Sequence, residues 1–243
     1  MGATGKVTGA EALVRWLQPT RGLVMPENFI ALAESTGLIV QLGRWVMNMA
    51  CQQLATWALL PNTAHLSLAV NVSARELSEA GFVAGVVKCL ELWKVPRNKL
   101  RIELTESVLA HRTDDIIGKM KELKAHGVGF SLDDFGTGYS SLSYLQKFDI
   151  DFVKIDQSFV RHLTVNSTDL ALCKAIVVMA HALDMRVIAE GVETVQQRDL
   201  LAEAGCDFAQ GYWYAQPMKA ADFEAFVASY AASTQTQLVL ASS

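Results

Sequence analysis

The segment Val128-Gly129-Phe130-Ser131-Leu132-Asp133-Asp134 joins a short apolar run to two adjacent aspartates. A run of this length with β-branched and aromatic residues predicts a buried strand, and the aspartates follow where that strand ends. The preceding stretch Thr113–His126 has helical spacing, and Gly127 follows it where a left-handed cap is favourable. The segment therefore predicts a repeating unit in which a helix is followed by a buried strand that ends in acids.

This unit recurs along the chain, because apolar runs alternate with stretches of helical period. The predicted strands are Lys6–Trp16, Leu66–Val72, Leu100–Leu104, Val128–Leu132, Phe152–Ile155, Arg186–Ala189 and Phe208–Trp213. The predicted helices are Glu27–Thr36, Ile39–Leu59, Glu79–Trp93, Thr113–His126, Thr168–Leu183, Val195–Ala204 and Ala221–Ala231. Such alternation predicts a parallel sheet built from βαβ units, in an α/β barrel of the TIM type, (β/α)8.

Length, composition and charge restrict the possible folds and binding partners. A length of 243 residues with 51% hydrophobic residues suits one barrel around one core. An open doubly wound sheet is the structural alternative, although no G-x-G-x-x-G opens the first helix. The net charge of −4 argues against a binder of DNA or RNA polymers, which would carry a basic stripe.

The sequence also bears on cellular location. It shows no signal peptide and no apolar stretch long enough to cross a bilayer, so we expect this segment to make no membrane contact. None of its four cysteines forms a C-x-x-C pair, which is typical of reduced thiols in a cytoplasmic protein. A longer parent protein could still be membrane-anchored.

Polar side chains stand where nearly every predicted strand ends. They are Glu11, Asn71, Glu103, Glu106, Asp133, Asp134, Lys154, Asp156, Glu190, Glu193 and Gln210. Taken one at a time, each could be a surface, turn or capping residue. Because the carboxyl ends of barrel strands meet at one mouth, however, we expect these side chains to converge there.

Such a mouth would be strongly acidic. Its eight carboxylates and single lysine carry more negative charge than the net −4 of the whole chain, so the remainder of the chain is net positive. Like charges in contact repel by about 4 kcal/mol per pair at an effective dielectric constant of about 20. The site therefore needs raised carboxyl pKa values, bound cations, or both. Oxygen ligands without His or Cys favour Mg²⁺ or Mn²⁺, and adjacent aspartates are suited to bridging two such ions.

Seven motifs occur in order along the chain: Glu11-Ala12-Leu13-Val14-Arg15-Trp16, Asn71-Val72-Ser73, Glu103-Leu104-Thr105-Glu106, Asp133 to Leu142, Lys154-Ile155-Asp156, Ala189-Glu190-Gly191-Val192-Glu193 and Gln210-Gly211-Tyr212. This series is similar to the EAL domain family of cyclic di-GMP phosphodiesterases. The resemblance covers residues 5 to about 230 and includes every acid of the active family pattern. It implies hydrolysis of cyclic di-GMP to linear pGpG by a water that two metal ions activate. We expect this domain to span residues 1–232, followed by a flexible tail at 233–243.

The resemblance also implies roles for single residues. The metal ligands would be Glu11, Asn71, Glu103, Asp133, Asp134 and Glu190. The catalytic residues would be Lys154, Glu190, Glu11 and Gln210. The substrate contacts would be Arg15, Leu13, Asp156 and Glu193. Glu106 would tether a loop that couples the site to a homodimer interface and contains Phe135, Gly136, Thr137 and Gly138. The cofactors would be two Mg²⁺ or Mn²⁺ ions, and we expect Ca²⁺ to inhibit because its longer, looser coordination misplaces the water.

The start of the chain departs from the family pattern. The family usually has a further strand with a Tyr-Gln-Pro stretch, whereas ten residues precede Glu11 here. We therefore expect seven strands and an incompletely closed barrel whose edge at Lys6–Trp16 is exposed, unless a partner chain or another segment covers the gap. Sensor or GGDEF-type domains would belong to a longer parent protein.

Two other functions stay open. A catalytically silent receptor would bind cyclic di-GMP without turnover, and a different barrel enzyme would act on another phosphorylated or enolisable substrate. The complete acid set favours the hydrolase over the receptor, and the long motif series argues against the third function.

Overall fold

The computed structural model describes residues 1, 5–109, 113–136, 145–164 and 167–240, with the backbone alone at 109, 113, 167 and 231–240. Its strands are β1 (Gly9–Ala12), β2 (Trp16–Gln18), β3 (Gly22–Val24), β4 (Ser67–Asn71), β5 (Leu100–Thr105), β6 (Gly129–Phe135), β7 (Phe152–Ile155), β8 (Arg186–Ala189) and β9 (Phe208–Ala209). Seven of them form a parallel sheet in the order β1-β4-β5-β6-β7-β8-β9, and β2 and β3 form a separate antiparallel hairpin.

Helices connect the strands of the large sheet. They are α1 (Ile30–Thr36), α2 (Ile39–Ala58), α3 (Ala74–Ser78), α4 (Phe82–Trp93), α5 (Glu106–Leu109), α6 (Thr113–Ala125), α7 (Gln157–Arg161), α8 (Ser167–Ala182), α9 (Val195–Glu203) and α10 (Ala220–Leu240), with a 3-10 turn at Pro26–Asn28. Because neighbouring strands are parallel and follow chain order, the fold is the predicted TIM-type α/β barrel, with seven parallel strands in the described part of the chain. None of the described helices is long and apolar enough to cross a membrane.

Each predicted strand and helix corresponds to an observed one, and the differences lie at the ends. The predicted strand Lys6–Trp16 ends at Ala12, because the chain then turns into the β2–β3 hairpin. The predicted strand Phe208–Trp213 is reduced to two residues. Helix α10 continues to Leu240, beyond the predicted end at Ala231, while residues 241–243 lie outside the described part. The boundary between a domain and a flexible tail at residue 232 stays a prediction.

The two edge strands of the seven-stranded sheet are β1 and β9. Within the described residues these two strands do not pair with each other. The backbone of Met1 instead pairs with Ala209 of β9, since the Met1 ammonium donates to the Ala209 carbonyl at 2.6 Å and the Met1 carbonyl accepts from the Ala209 N–H at 2.9 Å. Met1 thus covers part of the β9 edge of the sheet.

The apolar core lies between the sheet and its helices. Along β5, Ile102 and Leu104 are buried in this core, while Glu103 between them points to the other face, into the barrel. Strand β6 alternates in the same way, with Phe130 and Leu132 fully buried in the core. The polar residues of the barrel interior are therefore held by strands whose opposite faces are anchored among apolar side chains.

Helix α3 begins with a capping box that contains a buried acid. The Ser73 hydroxyl accepts from the Glu76 backbone N–H at 3.3 Å, and the Glu76 carboxylate accepts from the Ser73 backbone N–H at 3.0 Å. Burial raises the pKa of Glu76, although its bonds to Ser73 act in the opposite direction. The folded state therefore binds this proton more tightly than the unfolded chain does.

Replacing Glu76 by Gln should stabilise the protein in a pH-dependent way. Glutamine keeps the capping box but cannot ionise. The stabilisation from a raised carboxyl pKa is fully present below the unfolded value of 4.5 and is lost as the pH rises through the folded value. We expect Glu76→Gln to melt higher than the parent at about pH 7.5 and the difference to shrink toward about pH 4.5. Thermal melts that show the same difference at both pH values would contradict this assignment.

Candidate active site

Lys154 lies at the centre of the barrel mouth. It is the third residue of β7, and its side chain is 1% exposed. Its Nζ atom is 2.8 Å from Glu103 Oε2, 2.8 Å from Glu190 Oε1, 3.1 Å from Asp133 Oδ1 and 3.3 Å from Glu11 Oε2. One ammonium thus contacts four carboxylates from four different places in the chain.

The parallel sheet explains this convergence. Glu11, Glu103 and Asp133 lie on β1, β5 and β6, and Glu190 follows the last residue of β8. Because these strands run in the same direction, their carboxyl ends meet at one mouth. The structure therefore brings together four of the predicted acids around the predicted lysine.

Two amide side chains hold the carboxylates in place. Gln210 Nε2 donates to Glu11 Oε2 at 3.0 Å and to Glu190 Oε1 at 2.9 Å. Asn71 Nδ2 donates to Glu11 Oε1 at 2.7 Å. Both oxygens of Glu11 are consequently oriented by neutral donors, in addition to the ammonium of Lys154.

A β-bulge brings two adjacent aspartates to the same mouth. In a regular strand, neighbouring side chains point to opposite faces. The pairing of β6 with β7 shifts register between Leu132 and Phe135, and Asp134 has a left-handed backbone with φ 55°. Asp133, Asp134 and Glu190 can as a result place one oxygen each within 4.8 Å of one another.

The acids form two groups that could hold cations. One group is Glu11, Glu103 and Asp133, and the other is Asp133, Asp134 and Glu190. Asp133 belongs to both, which is what a bridging ligand requires. All of these donors are carboxylate oxygens, the ligand type that Mg²⁺ and Mn²⁺ prefer. The residues present therefore fit the divalent ions that the sequence predicts.

The pKa shifts show how crowded this site is. Burial raises the pKa of Glu103 to about 8 and that of Glu190 to about 7, against the effect of the Lys154 ammonium. Burial alone would also raise the pKa of Glu11, but Lys154 and the amide donors lower it. Desolvation acts to lower the pKa of Lys154, yet the carboxylates raise it well above its usual value. Lys154 is therefore charged at neutral pH, while the carboxylates exceed what one cation can neutralise.

Glu106 holds the backbone that follows the aspartates. Its Oε1 atom accepts from the Gly136 N–H at 2.9 Å, and Phe135 beside it is buried. Gly136 has φ 97°, and a β-carbon there would lie 2.9 Å from the ring of Phe159, so this position requires glycine. Thr137 and Gly138 lie outside the described residues, and the role of this loop in dimer coupling stays a prediction.

The four predicted substrate contacts differ in their surroundings. Asp156 caps α7 by accepting from the Ser158 N–H at 3.0 Å. Arg15 Nη1 donates to the carbonyl of Val14 at 2.9 Å. The side chains of Leu13 and Glu193 are exposed. In the part of the chain that the structure describes, none of the four forms an ion pair with the Lys154 cluster, and their role as substrate contacts stays a prediction.

Two residues of the barrel interior are not among the predicted site residues. Ser131 is buried, and its hydroxyl has no hydrogen-bond partner among the described residues. Arg101 places its guanidinium 3.9 Å from the centre of the Phe152 ring. Each residue precedes a predicted ligand by two positions, Ser131 before Asp133 and Arg101 before Glu103, so strand alternation could have placed both inside the barrel.

The sequence and the fold of the chain are similar to those of known proteins. The model of the EAL domain family matches residues 2–217. Among curated relatives, the bifunctional diguanylate cyclase/cyclic di-GMP phosphodiesterase MucR of Pseudomonas aeruginosa is 42% identical over 224 residues, which are 92% of this chain and 33% of that protein. The cyclic di-GMP phosphodiesterase NbdA of the same organism is 41% identical over 228 residues, which are 94% of this chain and 29% of that protein.

A solved structure is also similar. The PaMucR phosphodiesterase in complex with c-di-GMP superposes with a TM-score of 0.87 at 41% identity, covering 92% of this chain and 90% of that one. The chain spans about a third of the length of the curated relatives it matches.

Removing the Glu106 carboxylate should loosen the backbone after the aspartates. In Glu106→Ala the Gly136 N–H loses its acceptor, so we expect its amide proton to exchange at least about tenfold faster. Glu106→Gln keeps an acceptor oxygen and is the matched control. Unchanged exchange in Glu106→Ala, measured by hydrogen–deuterium exchange, would show that another group holds this backbone.

Proposed function

The chain belongs to the EAL domain family, and we propose that it hydrolyses cyclic di-GMP to linear pGpG with divalent metal ions as cofactors. The observation that carries this proposal is the cluster around Lys154, which contains two groups of three carboxylates that share Asp133. Relatives more than 40% identical are named as cyclic di-GMP phosphodiesterases, and the similar solved structure is a complex with c-di-GMP.

Two ions would be divided between the two groups of acids. Glu11, Asn71, Glu103 and Asp133 would hold one ion, and Asp133, Asp134 and Glu190 would hold the other. Bound Mg²⁺ or Mn²⁺ lowers the pKa of water and offsets the charge of a phosphodiester. The acids of this chain supply only oxygen donors, which supports this choice of ions.

Lys154 would act as a fixed positive charge. Its carboxylate neighbours raise its pKa well above the usual value, and from this position it would orient the attacking water or stabilise charge on the phosphate. A preorganised cation in a buried site of low dielectric constant stabilises negative charge as that charge develops on the phosphate oxygens. Gln210 keeps Glu11 and Glu190 in fixed orientations through its two hydrogen bonds.

The reaction breaks one phosphorus–oxygen bond of the cyclic dinucleotide. Water adds its hydroxyl to phosphorus, and the sugar oxygen that leaves takes up a proton. Because only one phosphorus–oxygen bond breaks, the second phosphodiester of pGpG stays intact. We propose that Arg15 binds a phosphate through its guanidinium, which matches the geometry of phosphate oxygens. Leu13, Asp156 and Glu193 would complete the substrate contacts at the rim.

Assembly and location belong to the same proposal. We propose a homodimer coupled to the site through the segment that Glu106 holds, and a cytoplasmic location where cyclic di-GMP is available. The MucR relative is named as a bifunctional cyclase and phosphodiesterase, and it is about three times as long as the matched region. This supports GGDEF-type or sensor domains as partners in a longer parent protein.

Incubation with cyclic di-GMP and Mg²⁺, followed by chromatography, tests the activity. We expect pGpG to accumulate with time. If the nucleotide binds and stays intact, the chain is a receptor. If it neither binds nor reacts, the substrate is a different one and the proposal fails.

Metal choice gives a second test. Activity should appear with Mg²⁺ or Mn²⁺ and disappear with EDTA, because all candidate ligands are oxygens. Ca²⁺ should inhibit, since its longer bonds and variable coordination number misplace the attacking water. Full turnover in EDTA would contradict the proposed dependence of hydrolysis on metal ions.

Substitutions separate metal binding from charge stabilisation. Glu11→Ala removes a ligand and should abolish turnover. Lys154→Ala should lower turnover by about 10² or more, as loss of one preorganised charge does. Lys124→Ala is the control, because Lys124 also pairs with two carboxylates, Asp149 and Asp151, but outside the site. Parental rates in Lys154→Ala would refute its assigned role.

A further inference from the structure

The Lys154 ammonium lies where the two candidate metal groups meet. It contacts Glu11, Glu103 and Asp133, which are all three members of the first group. It also contacts Glu190, so with Asp133 it reaches two of the three members of the second group. The oxygens that would bind metal ions are therefore the same oxygens that the ammonium contacts.

Burial makes these contacts matter for the fold. The side chains of Lys154 and Glu103 are 1% and 2% exposed, and those of Glu11, Asp133 and Glu190 are 13–15% exposed. Water therefore solvates the innermost carboxylate very little. Buried charges destabilise a protein unless they are paired and hydrogen-bonded, and breaking such a pair leaves an uncompensated charge. The ammonium, with three N–H donors, provides this pairing at the centre of the cluster.

We propose that Lys154 is the resident counter-ion of the acid cluster, so that it stabilises the metal-free protein and weakens the binding of divalent ions. This inference rests on the metal-binding part of the proposed function. A divalent ion among these oxygens has a full positive charge close by, and like charges at such distances repel strongly in a buried site. When no ion is bound, the Lys154 ammonium neutralises part of the negative charge that the ion would otherwise neutralise.

This role is separate from charge stabilisation during catalysis. A purely catalytic cation would leave the metal affinity and the stability of the metal-free protein unchanged when it is neutralised. Neutralising a counter-ion raises the metal affinity and lowers the stability of the metal-free protein. The two roles can therefore be distinguished by measurements that need no substrate.

Lys154→Met tests the proposal, because methionine is unbranched and apolar and can fill the space of the buried lysine side chain without a charge. Isothermal titration with Mg²⁺ should give a dissociation constant at least about tenfold lower than that of the parent. In EDTA the variant should melt lower than the parent, and saturating Mg²⁺ should raise its melting temperature by more than it raises that of the parent. Lys124→Met is the matched control, because it also removes a lysine that pairs with two carboxylates, here Asp149 and Asp151.

The control should bind Mg²⁺ as the parent does. The proposal is overturned if Lys154→Met binds Mg²⁺ with parental or weaker affinity, or if the Mg²⁺-induced rise in melting temperature equals that of the parent. A variant that stays unfolded at saturating Mg²⁺ overturns it as well, since the ions should then replace the ammonium. Because neither measurement involves cyclic di-GMP, a failure of the proposed function would show separately, as a parent that binds Mg²⁺ without turnover.

Discussion

The contact of one buried ammonium with four carboxylates is the interaction around which the barrel mouth is built. Four acids so close together would repel one another strongly at full ionisation, and burial adds a desolvation cost for each charge. Two effects reduce the negative charge of the cluster. Lys154 supplies a positive charge, and the pKa of Glu103 rises to about 8. What remains is an excess of oxygen ligands over positive charge, and this excess is what the proposed binding of divalent ions depends on.

The fold supplies this arrangement through strand direction and one local irregularity. Parallel strands bring their carboxyl ends to one mouth, so single acids on separate strands become neighbours. The bulge at Asp133 and Asp134 adds a second acid from the same strand, which regular alternation would have turned away. Apolar side chains on the opposite strand faces, such as Ile102 and Leu104, fix the register that sets these distances.

Much of this was accessible from the sequence, because strand ends mark the mouth of a parallel barrel. The convergence of Glu11, Glu103, Asp133 and Glu190 on Lys154 follows from that rule alone. The hairpin of β2 and β3 could not be predicted, since strands of three residues are too short for a periodic pattern. The bulge could not be predicted either, because it depends on how β6 pairs with β7. This pairing is a long-range contact that the local spacing of residues does not encode.

The most direct test of the account is where divalent ions bind. Crystals soaked with Mn²⁺ would be measured near the manganese absorption edge, and the anomalous difference map would locate the ions independently of the protein coordinates. The account predicts one peak among Glu11, Glu103 and Asp133 and a second among Asp133, Asp134 and Glu190. A map with peaks only elsewhere on the protein would contradict it, because the acid cluster would then have a role other than holding metal ions.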